Sequence, residues 1–196
     1  MKIRFTITGT APLLMHNQRL ADPLDPYAKA LKVISAKKKK TDEDHEEMAR
    51  IEFEGGLYHD SQLGPYIPGV NIHRSMVEGA RMTKRGKDIE RALLVLDDVC
   101  PLAYQGPRDV KGLYADKRYV SRKSVKVGQA RVMRTRPVFP EWTLECEAEL
   151  DLALLNFEDV QAIAETAGSL AGLGDYRPSS PHGGPHGRYL AVVEQL

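Results

Sequence analysis

The sequence predicts an α+β fold, a ferredoxin-like or RRM-type sheet with helices on one face, and three observations predict it. Apolar residues alternate with polar ones at Ile3, Phe5 and Ile7, and again at Leu144, Cys146, Ala148 and Leu150, the two-residue period of half-buried strands. Two stretches repeat their apolar residues at helical spacing: Ile72, Met76 and Ala80, and then Phe157, Val160, Ile163, Ala164, Ala167, Leu170 and Ala171. With two charged insertions set aside, the order along the chain is strand, helix, strand, strand, helix, strand, the split β-α-β pattern.

Each element follows from local signals. The opening strand, MKIRFTITGT, sets its apolar face against a polar, basic face of Lys2, Arg4, Thr6 and Thr8, and Gly9 to Pro12 ends it. LLMHNQRLADPLDPYAKALKVISAKKKK reads as a loop and then a helix from about Asp25, with Pro26 in its first turn. The lysine run 37–40 meets Thr41-Asp-Glu-Asp, an N-cap signal for a second, charged helix reaching about Phe53. This stretch shows little apolar face and reads as a surface excursion. Gly55-Gly56 resets the chain, and GGLYHDSQLGPYIPG reads as a short hairpin. Asn71 is placed to cap a helix running to about Met82. KDIERALLVLDDVCPLAY begins helical, and periodicity does not decide whether it turns into a strand. SVKV and ARVMRTR flank Gly128 in a long, positively charged hairpin. TLECEAEL is a strand, Asn156 with Asp159 makes a capping box for the best-defined helix, and RYLAVVEQL is the last strand.

The length of 196 residues fits a single domain, 1–196, carrying insertions at about 13–54 (charged, helical) and about 104–140 (the basic hairpin). A hydrophobic fraction of 42% and a charged fraction of 28% are those of a soluble globular protein. The net charge of +1 hides a marked asymmetry. Tyr104 to Arg136 holds ten Lys or Arg against Asp109 and Asp116, whereas Thr41 to Asp60 holds eight acids against Arg50. Cys100 and Cys146 lie far apart without CxxC spacing, so a reduced, cytoplasmic setting is expected, without zinc. No long apolar run suggests a signal peptide or a membrane span, so no membrane partner is expected.

Three clusters suggest nucleic acid. Gly69 followed by a capped helix offers backbone N–H groups and a positive dipole end to a phosphate, although an ordinary strand-to-helix turn explains the same residues. In GLGDYRPSSPHGGPHGRYLAVV, glycines allow close backbone approach, Arg177 and Arg188 suit an anion, and Tyr176 and Tyr189 offer stacking faces. The plain alternative is a helix C-cap at Gly172 followed by a disordered surface loop. In the basic stretch, Lys117, Arg118, Arg122, Lys123, Lys126, Arg131, Arg134 and Arg136 interleave with Tyr104, Tyr114 and Tyr119, as a single-strand-binding surface requires. An edge hairpin guarded by lysines is the alternative there. His182 and His186 share HxxxH spacing, but a Gly/Pro loop does not put them on one helical face, and no metal or cofactor is expected.

PYIPGVNIHRSMVEGAR resembles the Ile-Pro-Gly-Ser-Ser-then-helix signature of the RAMP superfamily, the RRM-like proteins that include the backbone subunits of CRISPR effector complexes. GLYHDSQLGPYIPG resembles the hairpin that leads into it, and GGPHGRY resembles that family's glycine-rich loop, with Val70-Asn71 standing where Ser-Ser is usual. The resemblance implies a guide RNA near the helix start, making Asn71, His73 and Arg74 candidate contacts, and a protruding thumb where the basic hairpin lies. It also implies the places a nuclease would use: a general base at His16, or an aspartate after the first strand at Asp22 or Asp25. His59-Asp60 is a further catalytic candidate.

The expected function is a non-catalytic, single-stranded nucleic-acid-binding protein assembling head to tail along RNA. In it the sheet and hairpin contact the strand, and the acidic 41–60 segment meets the hairpin of a neighbouring copy. The alternatives are a single-stranded DNA-binding protein of a phage or mobile element, a RAMP-type endoribonuclease, and a purely structural protein.

Overall fold

A four-stranded antiparallel sheet organises the chain. Its strands are β1 (Lys2–Gly9), β5 (Leu93–Val95), β9 (Thr143–Leu150) and β10 (Tyr189–Gln195), in the spatial order β10-β1-β9-β5. The computed structural model describes residues 1–196, the side chain of Val127 excepted. Ile3, Phe5 and Ile7 of β1 lie on one face with Leu144, Cys146, Ala148 and Leu150 of β9, as the alternation requires, and all are buried. Helices α3 (Gly69–Arg81) and α6 (Phe157–Thr166) cover that face. The opposite face is open.

One side chain occupies two groups on the free edge of β10. Gln161 of α6 accepts from Val193 N at 3.0 Å and donates to the Ala191 carbonyl at 3.3 Å, occupying groups that a further strand would pair with.

The Asn156–Asp159 capping box starts α6 as expected. The helix then widens into a π segment, Ala167–Ala171, where Gly172 N reaches back five residues to the Ala167 carbonyl at 2.8 Å. The wider turn rotates the apolar stripe, so Leu170, expected in the core, is 47% exposed while Ala171 is buried. Asn71 does not cap α3. The helix starts three residues earlier, with Pro68 at the N-cap and no side-chain acceptor, and Asn71 lies in its first turn.

The ambiguous segment resolves into α4 (Gly86–Ala92), β5 and β6 (Val99–Pro101). β6 pairs with β4 (Gly64–Pro68), which forms the expected hairpin with β3 (His59–Asp60). Cys100 and Cys146 meet in the core, where the thiol of Cys100 and then burial push Cys146 well above the ordinary thiol pKa.

The first insertion is more deeply rooted than expected. Its strand β2 (Leu13–Leu14) is buried and pairs with β8 (Ala130–Phe139). Helix α1 (Pro26–Ser35) buries no residue, but α2 (Asp42–Gly56) runs through Gly55 and Gly56 and buries Ala49, Ile51 and Phe53. Phe53, like Phe5 and Phe139, is fully buried, each such side chain contributing roughly 1.5–3 kcal/mol.

The second insertion contains α5 (Val110–Ala115), then β7 (Val120–Val127), which forms the expected long hairpin with β8. No helix among the described residues is long and apolar enough to cross a membrane.

Candidate nucleic-acid interface

The start of α3, the glycine-rich loop and the residue after β2 converge on one cleft of about 190 Å³. Asn71, Arg74 and Glu78 line it from α3, His16 and Met15 from the β2 side, and Gly174, Asp175 and Arg177 from the loop. Four sequence candidates, His16, Asn71, Arg74 and Arg177, are thereby brought together from three distant segments. His73 and Arg188 are not among the lining residues. The Arg188 guanidinium donates to the Ser169 carbonyl in the π segment.

The loop is not disordered. Leu173 N donates to the Gly187 carbonyl at 2.9 Å, Asp175 N to Leu14 at 2.7 Å, and Gly187 N to Pro12 at 2.9 Å, binding the loop to itself and to the β1–β2 segment. At Gly187 (φ +67°) an added Cβ would lie 1.8 Å from the Leu173 carbonyl oxygen, and at Gly174 (φ +75°) 2.4 Å from that of Leu14. The glycines thus serve close approach, as their number suggests, and what they approach is the chain's own backbone.

Arg177 is held inside the loop, donating to the Gly174 carbonyl and to Ser179 Oγ, both at 3.0 Å. Tyr189 is no stacking face. It is 2% exposed, its hydroxyl is hydrogen-bonded to Ser75 Oγ at 2.9 Å, and burial pushes its phenol pKa up. Ser75 also donates to the Gly172 carbonyl at 3.0 Å, so this one hydroxyl ties α3 to the loop and to β10. No motif marks Ser75 in the sequence; only its place on the buried face of α3 could have found it. Tyr176 keeps an exposed ring beside His186.

The cleft continues onto the basic hairpin through two ion pairs. Asp175 meets Arg136 at 2.8 Å, and Arg134 meets the buried Glu52 of α2 at 2.6 Å. Glu52 also accepts from Thr135 N at 2.8 Å, beyond the point where β2 stops pairing with β8. The buried acid of the 41–60 segment is therefore engaged with its own hairpin, not held for a neighbour. His16 stands among these charges. Its ring keeps contact with solvent, yet desolvation by the surrounding walls lowers its pKa, with Arg136 and Arg134 adding to the effect and Asp175 and Glu52 opposing it.

Outward from that base the cations are uncompensated. Arg122, Lys123, Lys126 and Arg131 are exposed, and none has a carboxylate within 4 Å among the described residues. Lys126 lies directly opposite Arg131, and Lys123 opposite Arg134, like-charge pairs that oppose hairpin formation. The interleaved aromatics do not join this surface. Tyr104, Tyr119 and Phe139 pack together, Tyr114 packs on Phe53, and Lys117 and Arg118 lie over Tyr114 and Tyr119. Arg118 is also paired with Asp116 at 2.6 Å.

The open face of the sheet does not join it either. It carries Glu145, Glu147, Glu149 and Glu194 against Lys2 and Arg4, both of which bind Glu147.

The catalytic candidates have structural partners. Asp25 caps α1 and pairs with Arg19 at 2.8 Å, while Asp22 accepts from Leu24 N within its own turn. His59 bonds the Arg108 carbonyl, and Asp60 accepts from Gln62 and Leu63 N. His186 lies 3.2 Å from the Pro12 carbonyl, and among the described residues no three His, Cys, Asp or Glu side chains converge as a metal site. No protein-family model matches the chain, and no curated protein is detectably similar to it in sequence.

Proposed function

We propose that the chain is a RAMP-like, non-catalytic protein that holds single-stranded RNA or DNA along its basic hairpin and in the cleft at the start of α3. The observation that carries this reading is the set of exposed cations at Arg122, Lys123, Lys126 and Arg131, none with a carboxylate within 4 Å among the described residues, with Lys126 held directly opposite Arg131. A polyanion removes the repulsion, and each neutralised phosphate releases counterions, a gain that no internal contact provides here.

The cleft supports the same reading. Arg74, which shares a 3.4 Å pair with Glu78, and Arg177 line it beside the first turn of α3, whose N-cap offers no side-chain acceptor and where Gly69 N alone is taken, by the Asp98 carbonyl at 3.1 Å. The ferredoxin-like part of the reading is supported by the strand order β10-β1-β9-β5, the fourth-first-third-second arrangement in which a split β-α-β chain builds its sheet. In this reading copies follow one another head to tail along the strand. With stacking aromatics turned inward, the phosphates dominate affinity.

The test is fluorescence anisotropy with a labelled single-stranded RNA and the matching DNA at two salt concentrations, with size-exclusion chromatography of each mixture. Binding that weakens steeply with salt is expected, and the RNA-to-DNA ratio identifies the preferred strand. Absence of binding to either at low salt overturns the reading.

A further inference from the structure

A second cleft, of about 660 Å³, lies between α2 and the base of the hairpin, away from the residues that line the first. Its volume is within the roughly 300–1,000 Å³ typical of small-molecule sites. One wall carries the cations Lys117 and Arg122; the other, on α2, carries the carboxylates Glu43 and Glu46 together with Arg50, whose charge is met by Glu47 and Glu54, and Tyr114 also lines the cleft. The two charged walls do not touch. Among the described residues neither Arg122 nor Lys117 has a carboxylate within 4 Å, and neither Glu43 nor Glu46 has a cation within that distance; only their neighbour Glu47 is paired, with Arg50. The nearby Thr41 side chain lowers the Glu43 pKa at the helix start, and Glu46 is the further exposed, unpaired carboxylate of the cleft. Desolvation raises the Tyr114 pKa, as expected for a phenol set in a wall rather than in bulk water.

A ligand that satisfies both walls must be anionic at one end and a hydrogen-bond donor at the other. A nucleotide unit bearing an exocyclic amine has this polarity. We infer that the cleft takes one nucleotide of the bound strand, with its phosphate on Arg122 and Lys117 and its base turned inward so that the amine donates to Glu46. Carboxylates accept from the cytosine N4 amine, and adenine and guanine carry amines of the same kind. Thymine and uracil have no exocyclic amine, and their one base-edge donor, N3–H, is flanked by two carbonyl oxygens that repel a carboxylate. The cleft therefore selects amino-bearing bases. This rests on the proposed function, because the strand delivers the nucleotide.

The experiment compares a dC and a dT oligonucleotide of equal length by anisotropy at pH 7.5, with the wild type, Glu46→Gln and Arg122→Gln. The expected result is about a five- to tenfold preference of the wild type for dC, lost in Glu46→Gln with the salt dependence retained. Arg122→Gln should weaken both strands alike and lower the salt slope by about one. Glu46 is exposed and unpaired, so thermal melts of Glu46→Gln should match the wild type. Equal affinities for dC and dT, or a preference that survives Glu46→Gln, overturn the inference and leave the proposed function standing. Failure to bind either strand at any salt overturns the proposed function and the inference with it.

Discussion

The glycine-rich loop and the basic hairpin look alike in the sequence, as surface segments of biased composition, yet the structure uses them in opposite ways. The loop's backbone groups bind Pro12, Leu14 and its own residues, and its glycines sit where a side chain would strike a carbonyl. In the hairpin, Gly128 turns with φ +60° and has nothing within 4 Å of where a Cβ would be. Its outer cations likewise have no carboxylate within 4 Å among the described residues. Unusual composition therefore has two meanings here: internal close packing in the loop, and in the hairpin a row of cations with no carboxylate of the described residues within that distance.

Substitutions sharpen that contrast. Gly187→Ala, forced against the Leu173 carbonyl at positive φ, should cost about 4 kcal/mol in chemical denaturation; a loss below about 1 kcal/mol would mean that the loop is not built as described. Replacing Lys123, Lys126 and Arg131 together by Gln should weaken strand binding about 100-fold at moderate salt and lower the salt slope by about two, with no loss of thermal stability. If the triple variant unfolds instead, the hairpin's charges are structural. Glu52→Gln leaves Arg134 without its carboxylate and should cost about 2 kcal/mol, read from the denaturation midpoint. Gly128→Ala should cost only about 1 kcal/mol, because the left-handed turn is strained but the space is open. The smallest effect is at His16. Its folded pKa lies below the ordinary 6.5, so the unfolded chain takes up the proton first as pH falls. Stability fully present above pH 6.5 should thus decline below it, and His16→Asn should flatten that decline; an unchanged pH profile would place the ring outside the desolvating cleft.

Much of the frame was legible. The alternation in β1 and β9, the capping box of α6 and the turn at Gly128 are local signals, and each produced its element. What escaped depended on contacts distant in sequence. Leu13 and Leu14 are too short a run to show a period, so their pairing with β8, and with it the rooting of the first insertion, was invisible. Tyr104, Tyr114 and Tyr119 alternate with cations as a stacking surface would, but burial against Phe53 and Phe139 decides their direction. The π turn at Ala167 shifted Leu170 outward for a reason no heptad or 3.6-residue count contains. Of the candidate site, the cations were readable from composition, whereas the meeting of His16, Asn71, Arg74 and Arg177 required the fold.

Gln161 carries a consequence for solubility. By filling the rung at Ala191 and Val193, a single amide denies incoming chains a template on the last strand of the sheet. Growth by backbone pairing, the route to fibres, is opposed at this rung of β10. A Gln161→Ala chain would fold with the same sheet and acquire an adhesive edge, visible as concentration-dependent aggregation long before any loss of helix or strand.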